Sequence, residues 1–570
     1  MQYLGYDVWV LGNHEFNFGL ERLYMSYGKG QGTHGMNTFT GAVLSGNVYR
    51  QNERMFDPYM IRQFGGIGGP RVAIIGAVHT NITGWDGTKL LPLGISTRRI
   101  DLEVQEIISY LKSPQAEEKY GGKIDLFIVA QHTGTNREFM PGDNVSDTIT
   151  MNGQDLTLVI SAHSHNNVNE MRGSGNNRTR HVRIDANGAN LGQVEIYTLR
   201  TANGWIVPDK ENDVKMTAHS IGTTTDSGYL SFINRAHEFG RAYTNSVIGE
   251  LIGRNLISGS FVRGGPNIRY AQYNALVALI NDAMEYYTRD LYLAPGAAQA
   301  YPELTGPVTL FGNAPLSSSA GASVGPLTRG SITGIYQYDN NTLCVLKMTG
   351  HQFKRWMEWA QLYWGPNGTT LTATMGLNDV TFPSGGFNGY FADQFKGVLY
   401  EVDLRKPYNE RIVNLRNPDG TPFDLDATYF VATNDYRTSS QLSIHAGQGS
   451  VLPMFPENHS SIPFLEPAII VAANVETTLT VNGVSINNGE GMLGVMVDYI
   501  NRVLGGQIDN TTDDWWQPTW QFAHIVEDPE IWEKAVDLIN ANVGTNFRNG
   551  SQNWTKAQIE QRWAVWQASQ

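Results

Sequence analysis

Three short polar clusters in the first third of the chain carry the residue types that metal chemistry needs: Gly12-Asn13-His14-Glu15, Gln131-His132-Thr133-Gly134 and Ala162-His163-Ser164-His165. Neutral imidazole is the commonest ligand for borderline divalent metals, and an Asn amide oxygen adds a neutral, hard donor. A lone histidine is more often a surface or core residue satisfied by a hydrogen bond. Four histidines and an asparagine in three equivalent contexts reverse that balance and point to a metal site with room for water and substrate.

The shared context is that each cluster directly follows an apolar run. Val72-Ala73-Ile74-Ile75-Gly76, Leu126-Phe127-Ile128-Val129-Ala130 and Leu156-Thr157-Leu158-Val159-Ile160 are short and rich in β-branched residues, and read as buried strands. Between the first two, Leu102, Val104, Ile107, Ile108 and Leu111 have the spacing of one apolar helix face. Alternating strands and helices predict an α/β layer structure, in which side chains just past the C-terminal strand ends share one crevice.

The same patterning divides the 570 residues into a first α/β domain over 1–215, a linker helix within 216–245, a second α/β domain over 246–505 and a helical, Trp-rich tail over 506–570. In the linker, Leu230, Phe232, Ile233, Ala236, Phe239 and Tyr243 fit helical spacing. In the tail, Thr555 and Gln558 form a capping-box pattern ahead of Trp563 and Trp566, whose spacing suits docking on a core. The formal net charge of -13 argues against a protein that follows a nucleic-acid backbone, though a metal can still draw a small anion. A single cysteine, Cys344, excludes an internal disulfide framework and a Cys-based zinc site. No run of ~18 apolar residues reads as a membrane span, and the N-terminus lacks the pattern of a signal peptide.

The stretch Leu11-Gly12-Asn13-His14-Glu15-Phe16-Asn17-Phe18-Gly19 resembles the Asn-His block of calcineurin-like metallophosphoesterases, in the form used by the 5'-nucleotidase and 2',3'-cyclic-nucleotide 2'-phosphodiesterase family. Residues 125–134 and 155–165 resemble the next two blocks, and the resemblance runs to about residue 500. It implies an α/β fold in which a calcineurin-like metallophosphoesterase sandwich, here incomplete, precedes a 5'-nucleotidase C-terminal domain. It further implies that Asn13, His132 and His163 bind one divalent metal such as Zn, Mn or Co, that His165 belongs to a second, and that His14 acts on the phosphoryl group without binding metal. Asn17 stands where the 5'-nucleotidase branch has an Asp, as in the cyclic-phosphodiesterase branch. The family's Asp-x-His pair and bridging Gly-Asp block lie upstream of the Asn-His block, where this chain has twelve residues, and Asp7 is a poor substitute. The expectation is therefore of an N-terminally truncated member whose Met1 is an internal methionine, binding at most one metal weakly and with little activity.

For the second domain the resemblance implies a base stacked between aromatic rings. Thr433-Asn434-Asp435-Tyr436-Arg437 nominates Tyr436, and the loop Gly389-Tyr390-Phe391-Ala392-Asp393 nominates Tyr390 or Phe391, because Ala392 stands where the family often has an aromatic. Thr438-Ser439-Ser440-Gln441 replaces the usual Gly-rich turn, and no arginine clamp is evident near Gly312-Asn313-Ala314. The expected function is thus metal-dependent hydrolysis of small-molecule nucleotides of the cyclic-phosphodiesterase/3'-nucleotidase type. The alternatives are a 5'-nucleotidase or a non-catalytic nucleotide-binding protein. Export to periplasm, cell wall or medium is implied by the family alone.

Overall fold

The computed structural model describes residues 1–27, 39–133, 156–173, 178–256, 273–288, 310–313, 321–338, 341–361, 379–380, 392–404, 406–407, 409–438, 469–470, 478–481, 484–487, 491–512, 514–523, 530, 534, 538 and 554–569. They form two compact units, the first comprising Met1–Asp226 and the second running from Ser227 onward.

In the first unit the elements that matter for the site are β1 (Val8–Val10), β2 (Ala42–Leu44), β3 (Tyr59–Gln63), β4 (Arg71–Val78), α1 (Ile100–Leu111), β5 (Leu126–His132), β6 (Leu158–Ser161), β7 (Val168–Arg172) and β8 (Thr179–Arg183). Six of the strands make one sheet in the order β7-β8-β6-β5-β4-β3. Its centre is parallel, β4 to β5, β5 to β6 and β6 to β8, with antiparallel strands at both edges. The three expected strands are adjacent here, the third starting two residues later than its apolar run. β1 and β2 pair separately in parallel. β2 passes so close to β4 that a Cβ at Gly76 would lie 2.3 Å from that of Leu44, which is why this strand interior carries a glycine.

Helix α1 covers one face of the sheet through Ile100, Val104, Ile107, Ile108 and Leu111, packed on Ala73, Ile75, Phe127, Val129 and Val159. Leu102, expected on that face, is exposed instead. The reason is a buried carboxylate: Glu103 turns inward, where Tyr49 Oη donates to it at 2.6 Å and the Arg54 guanidinium at 2.8 Å. With both partners in place the helix buries Glu103 and rolls Leu102 to solvent.

The second unit contains α2 (Ser227–Thr244), α3 (Ala275–Tyr286), β9 (Leu310–Asn313), β10 (Leu343–Thr349), α4 (Gly350–Ala360), β11 (Gln394–Lys396), β12 (Leu399–Val402), β13 (Thr428–Asn434), β14 (Ile469–Ile470), β15 (Trp520–Phe522) and α5 (Lys556–Gln567). A five-stranded sheet runs β11-β9-β13-β10-β14. Helix α4 starts at a reciprocal cap in which Thr349 Oγ1 accepts from Gln352 N, and Thr349 N donates to Gln352 Oε1 at 2.9 Å. Helix α2 forms where its spacing predicts, yet none of its residues is buried. In the tail, Trp520 on β15 stacks on Tyr400 of β12, and Trp563 and Trp566 of α5 rest against the same core. The Thr555 side chain, and with it the expected cap of α5, lies outside the described residues. Among the described residues no helix is long and apolar enough to cross a membrane.

One buried group in the first unit ties stability to pH. His181 on β8 is fully buried, shares a 2.8 Å hydrogen bond between its Nε2 and Ser161 Oγ, and has its pKa pushed down to about 3 by burial and by the charges of Arg172 and Arg183. Such a group binds a proton in the unfolded chain near pH 6.5 but not in the fold, so stability falls as pH drops below about 6.5 and continues to fall towards about 3. At pH 5 this amounts to about 2 kcal/mol. Urea unfolding of the first unit at pH 7.5 and pH 5 should show that loss shrinking by about this amount in His181→Gln. An equal pH dependence in the two proteins would refute it.

Candidate metal and phosphoester site

Parallel pairing of β4, β5 and β6 places His79, His132 and His163 at one edge of the sheet: His79 follows β4, His132 ends β5 and His163 lies two residues past β6. Asn13 follows β1. Its side chain is buried, and its Oδ1 lies 2.9 Å from His132 Nε2 and 3.2 Å from His163 Nδ1. An amide oxygen only accepts, so the two imidazoles meet it as N–H donors and all three groups are gathered at one point.

The backbone is shaped to bring them together. A Cβ on Gly12 would meet the His132 ring at 2.9 Å, so only glycine lets that ring lie against the Asn-His block. Glu15 reaches back to accept from Gly12 N at 2.6 Å and closes the turn. Beyond β6, His163 and His165 both adopt left-handed backbone, with φ of 73° and 53°. That conformation is costly for a side-chain-bearing residue and persists only where the surroundings enforce it. The buried Arg183 does so from β8, donating through Nε to the Asn166 carbonyl at 2.8 Å and through its terminal nitrogen to Asn166 Oδ1.

Burial keeps these rings uncharged. His132 and His163 are each pushed down to about 4, first by desolvation and then, for both, by other imidazoles, His163 for the one and His165 for the other. Ligand lone pairs must be free of protons, so two neutral imidazoles and an amide oxygen suit a divalent cation near neutral pH. Among the described residues no three His, Cys, Asp or Glu side chains form a metal-holding group; the convergence found is of two imidazoles with an amide. His165 is exposed, but its charge is felt by both His132 and His163.

His14 borders this cluster, near enough for its ring to bear electrostatically on His132 and His163. It is exposed, and its Nδ1 is 2.6 Å from Asn17 Oδ1. Asn17 is itself held, its Nδ2 donating to both carboxylate oxygens of buried Asp86 at 3.1 and 3.0 Å. The sequence reading missed Asp86, and with it His79 and Trp85. Trp85 stacks on His163 with ring centroids 5.3 Å apart and meets His79 in a tilted contact at 4.7 Å. His79 is buried, accepts from Asn81 N at its Nδ1 and is pushed down to about 3 by burial. Its signal was present: His79-Thr80 also directly follows an apolar strand.

In the second unit, Tyr436 is half-buried on the turn Asp435–Arg437 that ends the central strand β13. Tyr390 and Phe391 lie outside the described residues. The neighbouring motif residues do meet: Arg437 clamps buried Asp393 with Nε at 2.8 Å and a terminal nitrogen at 3.1 Å, and Trp356 Nε1 donates to the same carboxylate at 2.7 Å. The guanidinium also lies 4.9 Å from the centroid of the Trp359 ring. This pair fastens the turn bearing Tyr436 to the segment that follows residues 390 and 391.

Residues 259–445 match the family described as 5'-nucleotidase, C-terminal domain. The chain is 24% identical to the trifunctional nucleotide phosphoesterase protein YfkN of Bacillus subtilis over 77% of its own length, spanning 30% of that longer protein. It is also 24% identical to the 2',3'-cyclic-nucleotide 2'-phosphodiesterase/3'-nucleotidase of Haemophilus influenzae, over 80% of this chain and 71% of that one. A 5'-nucleotidase-type structure from Staphylococcus aureus superposes with a TM-score of 0.59 at 16% identity, covering 91% of this chain and 84% of the other, and this likeness gives the fold.

Breaking the Asp393–Arg437 pair leaves a buried charge without its partner, which costs ~3–5 kcal/mol. Denaturant unfolding should show Arg437→Ala destabilising the second unit by about that amount, with Arg437→Lys recovering little because a point charge cannot replace a two-pronged contact. A loss below ~1 kcal/mol would mean the pair is not what holds the turn.

Proposed function

We propose that this chain, a relative of the cyclic-nucleotide phosphodiesterase/3'-nucleotidases carrying a 5'-nucleotidase C-terminal domain, hydrolyses phosphoesters of small nucleotides with the help of divalent metal. The observation that carries the reading is the convergence of Asn13 Oδ1, His132 Nε2 and His163 Nδ1 beside an exposed His14. In this reading Asn13, His132 and His163 hold one cation and His165 contributes to a second position. A cation bound there supplies Lewis acidity toward a water and a phosphoryl oxygen. His14, fixed through Nδ1, uses its other ring nitrogen to stabilise charge on the phosphoryl group or to protonate the leaving oxygen. The buried His79 and half-buried Trp85 on one side of the cluster limit the access of water to the rings.

The 2',3'-cyclic and 3'-phosphate specificity is supported by Asn17 in place of an Asp and by the likeness to the Haemophilus protein. Export, as in the family, belongs to the same proposal. The test is a comparison of kcat/KM on 2',3'-cyclic AMP, 3'-AMP and 5'-AMP by protein supplied with Mn, Zn or Co and after chelation. The reading expects weak metal-dependent turnover, in line with at most one weakly held metal, with the cyclic substrate preferred. Preference for 5'-AMP would make it a 5'-nucleotidase, and nucleotide binding without turnover a binding protein.

Measured in a fully active form, His14→Ala should lower kcat by roughly 10²–10⁴ while bound metal, read by elemental analysis, stays unchanged. Loss of metal in that variant would make His14 a ligand instead. If Tyr436 stacks the base, Tyr436→Ala should weaken nucleotide binding by ~1–3 kcal/mol and spare bis(p-nitrophenyl) phosphate, which has no base. Equal losses on both substrates would reject the stacking role.

A further inference from the structure

We propose that Asp86 is a positioning residue that acts through Asn17 to decide which nitrogen of His14 carries the ring proton. The kinetic part of this inference rests on the phosphoesterase reading; the tautomer itself does not. Asp86 is buried where two short helical turns, Ile82–Trp85 and Gly87–Leu90, meet after β4. The Lys89 ammonium, 3.8 Å from its Oδ1, offsets its charge.

The argument is one of donors and acceptors. A carboxylate only accepts, so the end of the Asn17 amide facing Asp86 must be the NH2 group, and both carboxylate oxygens lie within 3.1 Å of Nδ2. The amide oxygen is thereby turned towards His14, 2.6 Å from Nδ1. An amide oxygen also only accepts, so Nδ1 must be the protonated nitrogen and Nε2 the one that gains and delivers a proton. Asn17 is buried, which leaves its amide to be oriented by these two partners. A side-chain amide without such an anchor has two orientations related by a half-turn, and the flipped one would present NH2 to Nδ1 and demand the opposite tautomer. In Asp86→Asn the anchoring group can either donate or accept, so the discrimination disappears.

The experiment labels the protein with 15N-histidine and reads the tautomer from two-bond 15N–1H correlations at a pH where the ring is neutral, both metal-free and with zinc. The His14 signal is identified by its absence in His14→Gln. The unaltered protein should show Nδ1–H at His14. Asp86→Asn should show a mixture or the Nε2–H form, and its kcat should fall 10–100-fold, the range seen for groups that orient a functional side chain, with KM and bound metal unchanged. Asp86→Glu, which restores an acceptor-only group, should recover Nδ1–H. Nε2–H in the unaltered protein overturns the proposal whether or not any variant folds, as does an unchanged Nδ1–H pattern in Asp86→Asn. A tautomer change without loss of kcat upholds the relay and rejects instead the role of His14 in hydrolysis.

Discussion

Keeping imidazole rings uncharged is the constraint around which the first unit is organised. His79, His132 and His163 crowd one edge of a parallel sheet, and protonating any of them would put a cation beside the others in a site largely shut off from water. Desolvation comes first among the causes in all three, with repulsion between the rings adding to it. The crowding follows from topology. Parallel strands deliver all their C-terminal ends to one side, and the rings of Trp85, His79 and His163 all meet one another there. What remains is a pair of neutral imidazoles, each meeting the acceptor-only Asn13 amide oxygen through a ring N–H.

Much of this was legible because strand ends are marked by composition. The apolar runs at 72–76, 126–130 and 156–160 locate three adjacent strands, and the polar residues that follow them are the ones that converge. Local spacing cannot reveal which buried polar groups will be satisfied from elsewhere in the chain. Glu103 finds Tyr49 and Arg54 across about fifty positions of sequence, and that long-range pairing turned Leu102 outward against its apolar character. Asp86 and Asn17 are 69 positions apart, so nothing in either neighbourhood announces their contact. The left-handed backbone of His163 and His165 was equally hidden, since it is imposed by Arg183 from another strand.

The second unit also buries charge in its polar core: the ion pair of Asp393 with Arg437, finished by a Trp356 hydrogen bond and the face of Trp359. A planar guanidinium meeting a carboxylate with two nitrogens fixes direction as well as distance, which suits a junction between two loops better than an apolar contact would.

The Asn17 amide also limits how this site can change over evolutionary time. Replacing that amide alone with a carboxylate, the arrangement of the 5'-nucleotidase branch, would set two buried carboxylates face to face at the distance where Asp86 now accepts a hydrogen bond. Like charges at such range cannot both stay ionised, so one would have to hold a proton or be pushed away. Positions 17 and 86 are thus physically coupled: this fold accommodates a carboxylate at 17 only where Asp86 is altered, displaced or protonated.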